Sequence, residues 1–227
     1  MSRATRLALF DLDNTLLTGD SDVLWVEFLL ARGILDASFA AANAEMDRRY
    51  RAGLATAQEF CALYVSTLTH VTREAGEALR RAFHSEIIRP RISAAARALV
   101  ESHRAAGDTL VITTATNRFI TELTAAEFDI DHLIATDMEE VAGQFTGRTA
   151  GVLNMREGKV ERLQQWLIAR GEPARMLGGA TFYSDSINDL PLLSCVGTPV
   201  AVDPDEKLCA EARLCGWTIM TLMRNDK

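Results

Sequence analysis

Apolar and polar positions along the chain follow two alternating periods. Leu7 to Phe10 is a four-residue apolar run, short enough for a buried strand. Similar runs predict strands over 109–113, 132–136, 181–184, 197–202 and 217–222. Between them lie stripes of helical period. Ile92, Ala95, Ala96, Leu99, Val100 and His103 form one, which Gly107 can end. A helix is expected from about residue 118 to 128, and another over 157–170 with Val160, Leu163 and Leu167 on one face. A short helix interrupted at Pro191 is expected over 187–193. Gly143, Gly147 and Gly151 mark residues 141–153 as a hairpin excursion. Strands separated by helices predict an α/β fold with a mostly parallel sheet.

Residues 20–88 break this rhythm. They contain no proline and no convincing strand, only helical stripes such as Trp25, Phe28 and Leu29, or Phe60, Leu63, Tyr64 and Leu68. A third stripe comprises Ala75, Leu79, Ala82 and Phe83, and Gly33 and Gly53 punctuate the series. The expected organisation is a core of residues 1–17 and 90–227, with a helical bundle of residues 18–89 inserted after the first strand. The aromatic residues of this insert are read chiefly as packing.

Composition narrows the possible partners. Apolar residues are 48% of the 227, enough for a large core, and the formal charge is −7 with no basic run. Nucleic acid and anionic membranes are therefore not expected as main partners. Cys61, Cys195, Cys209 and Cys215 have neither CxxC spacing nor a disulfide framework. The first apolar stretch is too short for a signal peptide, no run is long enough to span a bilayer, and a cytoplasmic location is expected. His70, His84, His103 and His132 show no metal-ligand spacing.

Polar clusters follow three of the expected strands: Asp11 and Asp13, Thr114 to Asn117, and Asp185 to Asp189. Open parallel sheets bind ligands at the carboxyl ends of their strands. Two carboxylates at i and i+2 of an extended chain share a side and repel unless a cation or a shared proton compensates. A helix cap, a polar turn or the start of a calcium loop would also explain Asp11 and Asp13, although Leu16 stands where such a loop needs Gly. Taken with Lys159, at the start of a helix, the clusters suit a hard cation such as magnesium together with a phosphate.

The order Asp11-Leu-Asp13-Asn-Thr-Leu, Thr114 after an apolar strand, Gly158-Lys159 and Ser184-Asp185-Ser-Ile-Asn188-Asp189 resembles the haloacid dehalogenase superfamily, over essentially the whole chain. The position of the insert and the form of the fourth motif resemble its phosphoserine-phosphatase-like subfamily. The resemblance implies a Rossmann-like core, with the insert as a helical cap. It implies Asp11 as nucleophile, Asp13 as general acid and base, and Thr114 and Lys159 holding phosphoryl oxygens. Magnesium would be held by Asp11, Asp13 through its backbone carbonyl, and Asp185. Asp189 would orient Lys159 or a metal-bound water, and Asn188 would lie near the substrate.

Asp20, followed by Ser21, reads equally as an N-cap and as a substrate contact, because the subfamily carries Glu there. Thr114-Ala-Thr116 stands where the subfamily usually has Ser-Gly-Gly. The expected activity is magnesium-dependent hydrolysis of a small-molecule phosphate ester through an aspartyl-phosphate, with phosphoserine and histidinol phosphate as candidates. Phosphotransfer by the same intermediate, or ligand binding without catalysis, are the alternatives.

Overall fold

A computed structural model describes residues 6–222. Its centre is a seven-stranded sheet in the order β4-β3-β2-β1-β5-β6-β7. The strands are β1 (Leu7–Phe10), β2 (Thr109–Asn117), β3 (His132–Val141), β4 (Gln144–Ala150), β5 (Thr181–Ser184), β6 (Thr198–Val202) and β7 (Thr218–Met220). All neighbours run parallel except β3 and β4, so the expected α/β sheet is present with one antiparallel edge.

The pleat of β1 sends alternate side chains to opposite layers. Ala8 and Phe10 enter one apolar cluster, Leu7 and Leu9 the other. The first layer receives α5 (Ala94–Ala105) and α6 (Arg118–Glu127), through residues such as Val100 and Ile120. The second receives α7 (Glu157–Ala169), α8 (Leu190–Leu193) and α9 (Glu206–Cys215), through residues such as Leu163, Leu192 and Leu208. Burial on both faces explains why β1 reads as a continuous apolar run rather than an alternation.

Between β1 and α5 the chain forms α1 (Ser21–Ala31), α2 (Ala37–Arg51), α3 (Ala57–Ser66) and α4 (Arg73–Phe83). Their starts are capped by Asp20, Asp36, Thr56 and Thr72, and Thr56 with Glu59 forms a reciprocal capping box. No apolar gap separates these helices from the sheet. Trp25, Phe28 and Phe83 lie in the same cluster as Phe10, Ile112 and Phe119. The Trp25 ring meets Phe83 edge-on at 5.1 Å, and its Nε1 donates to Thr67 Oγ1 at 3.0 Å.

Two strand ends and one helix differ from the sequence reading. β2 continues through Thr114–Asn117 with a register shift instead of ending at residue 113, because its polar end still pairs with β3. β3 runs on to Val141 because its polar second half forms a hairpin arm with β4. The turn uses Ala142 and Gly143 at φ 51° and 77°, the two positive values that a tight hairpin needs. That arm supports the insert: Gln58 Nε2 donates to Thr149 Oγ1, and Arg73 meets Glu140 at 3.1 Å. Helix α9 had no counterpart in the apolar pattern, since only Leu208 and Ala212 of its ten residues are buried. No helix among the described residues is long and apolar enough to cross a membrane.

Candidate active site

The carboxyl ends of β1 and β5 lie side by side at the centre of the sheet. The backbone N–H of Asp11 donates to the Tyr183 carbonyl at 2.9 Å, so Asp11 and Asp185 leave neighbouring strands together. Beyond Asp11 the chain does not stay extended, as the i, i+2 argument assumed. It enters a tight turn in which the N–H groups of Thr15, Leu16 and Leu17 all donate to the Leu12 carbonyl, with Asn14 at φ 56°. The turn nevertheless leaves Asp11 and Asp13 lining one cavity of about 280 Å³.

Lys159 projects from the first turn of α7 into this cavity and is 2% exposed. Its Nζ lies 2.7 Å from Asp11 Oδ1 and 2.7 Å from Asp189 Oδ2. Ser184 Oγ also donates to Asp189 Oδ2, at 2.7 Å, fixing that carboxylate as the anchor of the lysine. Burial opposes the ammonium charge, but Asp11 and Asp189 outweigh it and hold Lys159 above its ordinary value.

Asp13 is gripped from two sides. Ser21 donates to Oδ1 through its backbone N–H at 2.8 Å and its hydroxyl at 2.5 Å. Thr116 and Thr114 donate to Oδ2 through their hydroxyls at 2.8 and 3.2 Å. Thr114 therefore stands behind Asp13, 1% exposed, and is not among the residues bordering the cavity, whereas Thr116 is. The Thr113 hydroxyl faces elsewhere and accepts from Asn154 Nδ2 at 3.0 Å.

Asp20 caps α1, its Oδ1 accepting from the N–H groups of Asp22 and Val23 at 2.9 and 3.1 Å. It also borders the cavity, as does Asn188. Ser21, Thr15 and Asn154 were not singled out from the sequence, and Thr116 only as a departure from the subfamily's second motif. Ser21 follows the cap residue Asp20 and Thr15 belongs to the first motif, but their bonds to Asp13 and Asp185 are made only by folding. Thr15 is fully buried, and its hydroxyl lies 3.4 Å from Asp11 Oδ2 and 3.2 Å from Asp185 Oδ1.

The carboxylates are short of positive charge. Burial pushes Asp11 up to about 7 against the pull of Lys159, with Asp189 and Asp13 adding to the rise. Burial, then Asp11 and Asp189, pushes Asp185 up to about 8. Burial, then Asp20, pushes Asp13 up to about 6, against its bonds from Ser21 and Thr116. Four aspartates around one ammonium form a donor set that fits a hard divalent cation. Among the described residues no three His, Cys, Asp or Glu side chains enclose a metal position. Asp11 and Asp185 are the carboxylates that would hold such a cation, and magnesium commonly takes further oxygens from water and substrate phosphate.

Comparison with known proteins agrees with this arrangement. The family model described as haloacid dehalogenase-like hydrolase matches residues 8–194. The chain is 41% identical to a histidinol-phosphatase of Neisseria meningitidis, over 94% of this chain and 97% of that one. It is 33% identical to a phosphoserine phosphatase of Mycobacterium tuberculosis, over 95% of this chain and 70% of that one. A crystal structure of a Bordetella pertussis protein of unknown function superposes with a TM-score of 0.92 at 40% identity, covering 97% of this chain and all of that one. The chain belongs to the haloacid dehalogenase-like hydrolase family.

Proposed function

We propose that the protein hydrolyses a small phosphomonoester whose other end is cationic, with histidinol phosphate the better candidate than phosphoserine. The observation that carries the reaction type is the 2.7 Å grip of Lys159 on Asp11 and Asp189, beside Asp185 at the neighbouring strand end. Asp11 attacks phosphorus in line, the bond from phosphorus to the ester oxygen breaks, and Asp13 gives its proton to the departing oxygen. Asp13 then takes a proton from water, which attacks phosphorus and releases Asp11 with inorganic phosphate. Lys159 neutralises charge on the phosphoryl oxygens, and Asp189 and Ser184 hold it there. For Thr114 to hold a phosphoryl oxygen, as the family's motif implies, its hydroxyl would have to leave Asp13 Oδ2, which it meets at 3.2 Å. Asp11, Asp185 and the Asp13 carbonyl are the groups that would hold magnesium, which when bound offsets the repulsion between carboxylate and phosphate.

The cavity wall favours a cationic substrate. Seven aspartates and one lysine border the cavity, and the insert contributes Asp20, Asp22 and Asp47 beside Tyr50 and Phe60. Phosphoserine brings a carboxylate, for which the described residues of that wall offer no second cation. Histidinol phosphate brings an ammonium and an imidazole and no carboxylate. The relative from Neisseria is named a histidinol-phosphatase. A volume of about 280 Å³ falls near the small end of ligand pockets, about 300–1,000 Å³, and suits a small phosphomonoester. The insert is read as a cap that closes over this pocket and keeps bulk water out.

Phosphate release from purified protein with magnesium tests both parts. Histidinol phosphate should exceed phosphoserine in kcat/KM by at least about tenfold, the equivalent of about 1.4 kcal/mol. Equal or reversed preference would refute the cationic-end reading, and transfer to added alcohols in place of phosphate release would refute hydrolysis.

A further inference from the structure

Asn154 is fully buried beneath the site, and none of the roles above involves it. Its Nδ2 reaches three acceptors: the Thr113 hydroxyl at 3.0 Å, the Thr114 carbonyl at 2.9 Å and the Ile134 carbonyl at 2.8 Å. Its backbone N–H donates to Thr136 Oγ1 at 3.3 Å, and its Oδ1 has no hydrogen-bond partner. An amide with an orphaned buried oxygen costs stability, so its retention calls for a reason. One side chain thereby ties the loop before α7 to β2, at Thr113 and Thr114, and to β3, at Ile134.

That loop has little freedom between Asn154 and Lys159. Gly158 N–H donates to the Met155 carbonyl at 2.9 Å, and Lys159 N–H to the Arg156 carbonyl at 3.1 Å. Arg156 sits at φ 52° and ψ −125°, a conformation that L side chains seldom adopt. A Cβ on Gly158 would stand 2.0 Å from the Leu153 carbonyl oxygen, so the chain passes too close to itself for any other residue. With its start pinned at Asn154 and its end forced through Arg156 and Gly158, the loop transmits the position of Asn154 to Lys159.

We propose that Asn154 is a positioning residue for phosphoryl transfer. It sets Lys159 relative to Thr114, so that the ammonium facing Asp11 and the hydroxyl behind Asp13 keep one spacing. The inference rests on the phosphoryl-transfer reading above and adds to it a buried strut outside the motifs. An amide suits the place because its acceptors include two backbone carbonyls, which need a donor. Aspartate has the same shape but presents oxygen to oxygen there.

The test is a double-substitution cycle on the full chain with magnesium present. The variants are Asn154→Asp, Asn154→Ser, Lys159→Ala and the two combinations. The readouts are kcat and KM on an aryl phosphate, orthovanadate binding by calorimetry, and Tm. Asn154→Asp should lower kcat by about 10- to 100-fold, the scale of a catalytic group displaced by about 1 Å, with KM changed by less than about threefold. Asn154→Ser, which removes less of the fold's support, provides the same reading if the aspartate variant does not fold.

Each single substitution should weaken orthovanadate binding, and the combinations should bind no more weakly than Lys159→Ala alone. Additive losses in the combinations, or a lowered Tm with unchanged kcat and orthovanadate affinity, would overturn the inference. Wild-type protein that neither turns over the aryl phosphate nor binds orthovanadate would remove the phosphoryl-transfer reading, and this inference with it.

Discussion

Asp20 shows how one carboxylate serves two ends. Its Oδ1 is committed to the N–H groups of Asp22 and Val23, which makes it the cap of α1, while the same side chain borders the acid-lined cavity. Asn caps a helix about as well as Asp, so Asp20→Asn removes the charge and leaves the cap. The expected result is a loss in kcat/KM on histidinol phosphate of about 1–3 kcal/mol, the scale of a hydrogen bond to a charged group, with little change on a neutral aryl phosphate or in Tm. Parallel kinetics on the two substrates check it. Equal losses on both would leave Asp20 as a cap only. Asp11, Thr114 and Asp185 stood out because each follows an apolar run in the chain, whereas Lys159 stood out only through the order of the family's motifs. The partners of Asp13 did not stand out as such: Ser21 and Thr116 meet it only after folding brings α1 against β2. No local pattern records a hydrogen bond between such distant positions.

At the scale of elements, legibility followed burial. The helices with broad apolar stripes, α5, α6 and α7, were read within a few residues, because one face of each enters the core. Helix α9 escaped because its contact is two residues wide, and the end of β2 because Thr114 to Asn117 spend their polar groups on pairing and on the site. The insert is held to the sheet by aromatic packing rather than by a separate core. Trp25 is fully buried, touches Phe28, Phe83 and Phe119, and has its indole N–H satisfied by Thr67. Trp25→Ala should therefore cost about 3–5 kcal/mol of unfolding free energy, the range for deleting a large buried aromatic. Chemical denaturation followed by circular dichroism measures this. A loss below about 1 kcal/mol would mean that the insert does not depend on this cluster.

At the scale of the molecule, the excess of carboxylates at the sheet edge couples stability to pH and metal. Without metal, Asp11, Asp13 and Asp185 hold their protons up to about 7, 6 and 8. Unfolded, they would release them near the ordinary carboxylate range, about pH 4. Between those limits the folded state binds more protons than the unfolded one, so stability falls as pH rises through the window. Tm in a chelator should be lower at about pH 8 than at about pH 5.5, and magnesium should raise it more at the higher pH. A Tm rising across that interval in chelator, or a magnesium effect of equal size at both values, would contradict the cation-deficient site. The most direct test of the whole account is acid quench of the enzyme during turnover of an aryl phosphate, followed by peptide mass analysis. The account predicts one phosphoryl group on the peptide containing Asp11, absent in Asp11→Asn, whose turnover should fall by several orders of magnitude, about the scale lost with a nucleophile. Wild-type turnover by Asp11→Asn, or a phosphoryl group trapped on a residue other than Asp11, would contradict it.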